Sequence, residues 1–270
     1  MWWAGEQAGF GAVLTRQINH AWRLVGTGLG FVFFLGGSVL LAVVVFPAIS
    51  LFTPEVSRRR ERHYALMRLA FRAFIGMLTS FRVIAVKIDE PDTLQSSRGV
   101  VVVANHPTLI DIALLSAFIP RAQCIVKREL WDSPFLGPIM RGGGYIPNDL
   151  EPEALVRTCG AALAEGRSLI IFPEGTRSRP GVPLRFQRGF AHIATLLKAD
   201  IQLAFISCTP PMLGKGVKWW AIPPSRPQFR ISPAGWIRAT SWQGDIHRSI
   251  TARTIVRQLE RVYNDRLAIG

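Results

Sequence analysis

His106 and Asp111 stand five residues apart, directly after the apolar run Val100–Ala104. An imidazole can accept and release a proton near neutral pH. A carboxylate about one helical turn further on can reach one ring nitrogen, fix the tautomer and stabilise the imidazolium. The other nitrogen is then free to take a proton from a substrate. Taken alone, the pair is better read as a histidine packed in a turn and an aspartate capping the helix.

A second stretch adds to it. Ser168–Phe172 is an apolar run that delivers Pro173, Glu174, Gly175, Thr176 and Arg177 in succession. Gly175 lets backbone approach a ligand closely, and Arg177 carries a planar fork suited to phosphate or carboxylate. The bland alternative is a turn closed by an ion pair. Both stretches end a buried strand in polar, conformationally special residues, which predicts that both open on one edge of a sheet. In open α/β sheets that edge is where ligands bind.

The elements that must position these residues follow from the texture of the chain. Strands are expected at Val83–Ile88, Val100–Ala104, Gln123–Val126, Ser168–Phe172, Leu203–Ser207 and Gln228–Ile231. Helices fit between them from Pro107 through Phe118, at Pro152–Glu165 and at Phe186–Leu197. A last helix, about Ile246 to Leu267, carries Ile246, Ile250, Ile255, Leu259 and Val262 on one stripe. The alternation predicts an α/β fold with a mainly parallel central sheet flanked by helices.

Ahead of this lies a stretch of a different kind. No charged residue occurs between Arg23 and Glu55, and Leu29–Phe46 is almost wholly apolar. That suffices for an N-terminal membrane-anchoring helical segment, although Pro47 and several glycines would also suit a kinked or re-entrant course. It is too long, and starts too far in, for a cleaved signal peptide. Arg58, Arg59, Arg60 and Arg62 follow it, against Arg16 and Arg23 before it. The positive-inside rule places the larger cluster, and the catalytic body with it, on the cytoplasmic side of the cell inner membrane. Arg58 to Phe81 reads as an amphipathic helix with Met67, Phe71, Phe74, Ile75, Leu78 and Phe81 on one face. An interfacial position in the headgroup plane is favoured over core packing. Two units result: residues 1–80 as anchor and interfacial helix, and 81–270 as the α/β domain.

Composition agrees with a membrane enzyme. Hydrophobic residues make up 49% of the 270, and the net charge is +14, from 32 basic against 18 acidic residues. The arginines cluster beside the apolar segment and do not interleave with aromatics, so nucleic acid is not an expected partner. Cys124, Cys159 and Cys208 are sparse and odd in number, against a disulfide framework or zinc ribbon. His20, His63, His192 and His247 have no metal-ligand spacing, and no metal is expected. Trp2, Trp3, Trp219 and Trp220 suit either a membrane interface or aromatic packing.

The Asn105–Asp111 block, Asn-His-x-x-x-x-Asp, and the Phe172–Arg177 block, Phe-Pro-Glu-Gly-Thr-Arg, together resemble the phospholipid/glycerol acyltransferase family, which includes the lysophosphatidate acyltransferases. Lys127-Arg128-Glu129-Leu130, followed by Pro134 to Gly137, is similar to that family's second block, and Phe186-x-x-Gly189 to its downstream pattern. The resemblance covers roughly Val83 to Pro211. It implies a fatty acyl donor, acyl-CoA or acyl-carrier protein, a hydroxyl acceptor on a membrane lipid, and no further cofactor. His106 would be the general base and Asp111 its orienting partner. Lys127, Glu174, Gly175, Thr176 and Arg177 would bind substrate, and amides near Gly175 would face the oxyanion. The acceptor the resemblance implies is 1-acylglycerol-3-phosphate. The chain lacks a Gly-x-Ser-x-Gly elbow, and neither motif holds a cysteine, so no covalent acyl-enzyme is implied.

Two departures bear on the acceptor. Members that use glycerol phosphate end the second block in an arginine; here Gly143-Gly144-Tyr145-Ile146-Pro147 leads to Asn148, and Arg141 precedes the glycines. A proline of the fourth block is also missing from Leu203–Ile206. An amino-acid lipid or aryl-polyene-type acceptor is the alternative within the same chemistry. A non-catalytic lipid-binding protein is the alternative outside it, although loss of activity would usually remove His106 or Asp111.

Overall fold

The computed structural model describes residues 3–242 and 248–269, and the side chains of residues 15–240 and 251–268. His247 and Ile246 therefore lie outside the described residues, as do Trp2 and the side chains of Trp3 and Ile250.

The chain opens with α1 (Trp3–Leu40), a π-helical turn at Leu41–Val45 and α2 (Phe46–Leu51). The helix runs on through Pro47 without a break. Pro47 has no N–H to give the preceding turn, and the π turn just before it absorbs the lost bond. The span Thr15–Leu51 is long and apolar enough to cross a membrane. Helix α3 (Val56–Ser80) folds back along it.

The body then alternates: β1 (Ala85–Ile88), α4 (Pro91–Gln95), β2 (Val101–Ala104), α5 (Asp111–Phe118), β3 (Ala122–Val126), α6 (Arg128–Trp131), α7 (Gly137–Gly142), β4 (Ile146–Pro147), α8 (Pro152–Ala164), β5 (Ser168–Ile171), α9 (Gly189–Leu196), β6 (Ile201–Thr209), β7 (Gln228–Ile237) and α10 (Arg248–Ile269). The seven strands form one sheet in the order β1-β7-β6-β2-β5-β3-β4. Five of the six pairings are parallel and only β6 and β7 run antiparallel, so the expected α/β fold with a mainly parallel central sheet is what the chain adopts.

β2 lies between β5 and β6, and every residue in it is buried. Its side chains alternate between two cores, as a strand covered on both faces requires. Val102 and Ala104 meet α3, α5 and the inner stripe of the apolar helix. Val101 and Val103 meet α8, α9 and α10.

The α3 face expected in the headgroup plane is largely spent inside the protein. Met67, Phe71, Phe74, Ile75 and Leu78 are buried in the first core; only Phe81, just past the helix, is exposed. Arg68, which flanks that face, donates to the carbonyls of Ala117 and Phe118 at the C-terminal end of α5 (both 3.3 Å). A 3.6-residue apolar stripe does not say whether protein or lipid covers it, and here α5 and the sheet do.

The apolar helix also leans on the body. Gly26 and Gly30 allow close contact with Val83 and Leu78. Trp22 Nε1 donates to Phe81 O (2.7 Å), and Arg23 Nη2 to Pro223 O (2.8 Å). Phe31 packs edge-on to Trp219, and Phe34 meets Phe74. Its outward residues, among them Val32, Phe33, Leu35, Val39, Leu40 and Val43, remain exposed.

Candidate active site

The site is assembled by loops that follow three adjacent strands. β2 and β5 are parallel neighbours, so Asn105 and Phe172 leave the sheet side by side. β6, on the other side of β2, ends on the same edge. Asn105 locks the first loop to β6: its Nδ2 donates to Ile206 O (2.8 Å) and its Oδ1 accepts Ile206 N–H (2.7 Å). That two-way amide contact continues the ladder one residue beyond the strand and fixes where His106 begins.

His106 Nδ1 lies 2.8 Å from Asp111 Oδ2. The helix was expected to start near Pro107; it starts at Asp111, because the loop before it is drawn around the carboxylate. Oδ2 also accepts the Thr108 N–H (2.7 Å), and Oδ1 accepts the Thr108 hydroxyl. Thr108 was not singled out in the sequence, although Thr-x-x-Asp is the capping-box spacing that could have found it. Burial pushes the Asp111 carboxyl above the usual carboxylate range, while the bonds from His106 and Thr108 pull it back down. The Asp111 side chain is sealed, whereas the His106 side chain keeps 20% of its surface. The imidazole is thus reachable and its partner is not. Phe172 stacks on the ring, centroids 4.2 Å apart and planes 22° from parallel, which holds its orientation from one side.

Glu174 is turned inward. Its Oε1 accepts both the His106 N–H and the Ser178 hydroxyl (each 2.9 Å), and the Ser178 N–H bonds back to His106 O (2.7 Å). It therefore ties the two loops together. Burial raises its carboxyl above the ordinary glutamate range. Gly175 has φ +65°, a backbone conformation that favours glycine, and a Cβ there would also displace the end of the Gln187 side chain. Its own N–H donates to Phe172 O (3.1 Å), so an oxyanion donor here would have to be another amide. Thr176 is half-buried beside it.

Arg177 Nη1 donates to Leu213 O (3.0 Å) and Gly214 O (2.9 Å), pinning the loop after β6. The rest of the guanidinium has no protein partner among the described residues. Lys127 caps the end of β3, exposed and without an ion pair among the described residues. Asn148 is exposed; its Oδ1 accepts the Arg128 N–H (3.2 Å), and Arg128 is paired with Asp132 and Asp149. Arg141 is spent on Trp131 O (2.9 Å). Among the described residues no group of three or more His, Cys, Asp and Glu side chains gathers as a metal site requires.

Residues 85–208 match the family model described as Acyltransferase. Among curated relatives, the 1-acyl-sn-glycerol-3-phosphate acyltransferase of Helicobacter pylori is 38% identical over 107 residues, 37% of this chain and 45% of that protein. A human protein, 1-acyl-sn-glycerol-3-phosphate acyltransferase beta, is 31% identical over 137 residues, 47% of this chain and 48% of its own. The chain thus spans about half the length of the curated relatives it matches. The crystal structure of the 1-acyl-sn-glycerophosphate acyltransferase PlsC from Thermotoga maritima superposes with a TM-score of 0.66, over 91% of this chain and 96% of that one. At 19% identity this establishes a shared fold.

Proposed function

We propose that this chain, whose residues 85–208 are an acyltransferase-family segment, is a membrane-bound O-acyltransferase acting on a lysophospholipid. The acyl donor is a thioester, acyl-CoA or acyl-carrier protein, and the acceptor is the free hydroxyl of 1-acylglycerol-3-phosphate. The enzyme works at the cytoplasmic face of the cell membrane. The observation that carries this reading is the reachable His106 imidazole bonded at 2.8 Å to a sealed carboxylate, within a segment similar to named lysophosphatidate acyltransferases.

Asp111 receives donors from His106 and Thr108. As the ionised acceptor it holds the proton on Nδ1 and leaves Nε2 unprotonated. Nε2 takes the hydroxyl proton as the acceptor oxygen attacks the thioester carbonyl. The tetrahedral intermediate collapses, the C–S bond breaks, and the imidazolium returns the proton to the departing thiolate. The balance closes without a metal or further cofactor. Lys127 and the free edge of Arg177 are the cations that would hold the acceptor phosphate.

Asn148 favours a second reading of the acceptor. It stands where phosphate-using relatives are expected to carry an arginine, and it is occupied with the Arg128 amide. A hydroxyl lipid without phosphate at that position would then be the better substrate. Purified protein in detergent, given a labelled acyl thioester and a panel of acceptors, decides both questions. Acylation of lysophosphatidate is the expected result. His106→Ala should lower its turnover about 10²–10⁴-fold; near-normal turnover of folded variant would remove the basis of this reading.

A further inference from the structure

Beside the first turns of the apolar helix lies a cleft of about 510 Å³. Its walls include Arg16, Asn19 and Arg23 of α1, with Ser225 and Arg226 from the loop before β7, and among the described residues no carboxylate lines it. None of the residues that hold the His106–Asp111 pair belongs to it.

Arg23 is only 6% exposed. Its Nη2 is gripped by Pro223 O and Pro224 O (2.8 and 2.9 Å), but its Nε is buried and has no partner. A buried guanidinium N–H without an acceptor is costly, and an incoming oxyanion would remove that cost. Arg226 is likewise fixed by neutral carbonyls, through Nε to Ile84 O (2.8 Å) and Nη2 to Thr79 O (3.1 Å). Among the described residues neither arginine meets a negative charge, and neither is free to swing away. Arg16 is exposed at the mouth without an ion pair among the described residues. Two guanidinium groups held by carbonyls, a third exposed one, and the neutral donors Asn19 and Ser225, all lining one cleft, match the oxygens of a phosphate.

The position of the cleft says where such a phosphate comes from. Arg23 is the last charge before the uncharged stretch that ends at Glu55, and exposed apolar side chains run from Ile18 and Trp22, which interleave with the arginines, on through Val25 and Leu29. With that stretch in a bilayer, Arg16 and Arg23 lie at headgroup depth. We infer that this cleft is a phosphate-binding site for an anionic lipid headgroup, distinct from the site at His106. The inference goes beyond acyl transfer and does not depend on it.

The test uses the full chain in dodecyl maltoside, with mixed micelles of dioleoylphosphatidylglycerol or dioleoylphosphatidylcholine and bound lipid counted by native mass spectrometry. A parallel arm follows thermal unfolding as inorganic phosphate replaces chloride at matched ionic strength. Wild type should retain phosphatidylglycerol in preference to phosphatidylcholine. Arg16→Gln should weaken that retention roughly tenfold, the loss of one charge-assisted contact. Arg157→Gln removes the same charge from an exposed position on α8 and should leave retention unchanged. Stabilisation of wild type but not Arg16→Gln by inorganic phosphate, without any lipid preference, would keep the phosphate site but overturn its assignment to lipid. Equal losses in the two variants would reduce the effect to general charge attraction and overturn the proposal, as would no preference and no phosphate response.

Discussion

At the scale of single residues, the site depends on one sealed carboxylate with three donors aimed at it. Asp111→Asn keeps size but replaces an acceptor with a group that can donate to Nδ1. The imidazole would then carry its proton on Nε2, the wrong nitrogen for a base. Turnover under saturating substrate should fall about 10³–10⁴-fold while near-ultraviolet circular dichroism stays native. Glu174 makes a different prediction. Burial raises its carboxyl in the folded state, so between the unfolded and folded values the folded state binds more protons. Stability contributed through this group is therefore full at acid pH and is lost as pH rises through and above about 4.3, the ordinary glutamate value. Glu174→Gln keeps an oxygen for the His106 N–H and removes the titration. The stability of wild type relative to Glu174→Gln should decline from acid to neutral pH in chemical denaturation. A flat difference would mean that Glu174 does not titrate in that range.

At the scale of elements, the close contacts of the apolar helix rest on glycine. A Cβ at Gly26 would sit 2.5 Å from Val83 Cγ2, and Val83 is itself buried just ahead of β1. Gly26→Leu should force α1 away from the body at a cost of about 1–3 kcal/mol, read as a lower melting temperature in detergent. The strands bearing the motifs were legible because valine and isoleucine runs buried on both faces have few other destinations. The short pieces were not. β4 has two residues, one of them Pro147, and α4, α6 and α7 are four to six residues long, below the length at which periodicity carries a signal. α9 was expected from Phe186 but begins at Gly189; the segment ahead of it is held by tertiary contacts, the Phe186 N–H on Glu260 of α10 (2.8 Å), across 74 residues, and the Gln187 N–H on Pro173 O (2.8 Å). The histidine and aspartate were legible as a pair; that Glu174 and Arg177 serve partly as loop ties was not, since tertiary partners decide it.

At the scale of the whole molecule, one core runs from the apolar helix through α3 to the sheet, so anchor and body move as one piece. The outward face of the helix, with Val32 and Val43 each 68% exposed, is too apolar to be left to water. The protein should stay with membranes through high salt and alkaline carbonate and leave only with detergent, as followed by immunoblot of the washed fractions; release by salt alone would mean surface charge holds it. A last consequence concerns time. The Tyr263 hydroxyl of α10 donates to Val103 O (2.8 Å) in β2 and Ala204 O (3.1 Å) in β6. Those partners are separated by 160 residues of chain for Val103. During synthesis the apolar helix, proposed to enter the bilayer, is made before the α10 brace behind His106. On the proposed reading, a nascent chain is held at the bilayer before its His106 site is braced.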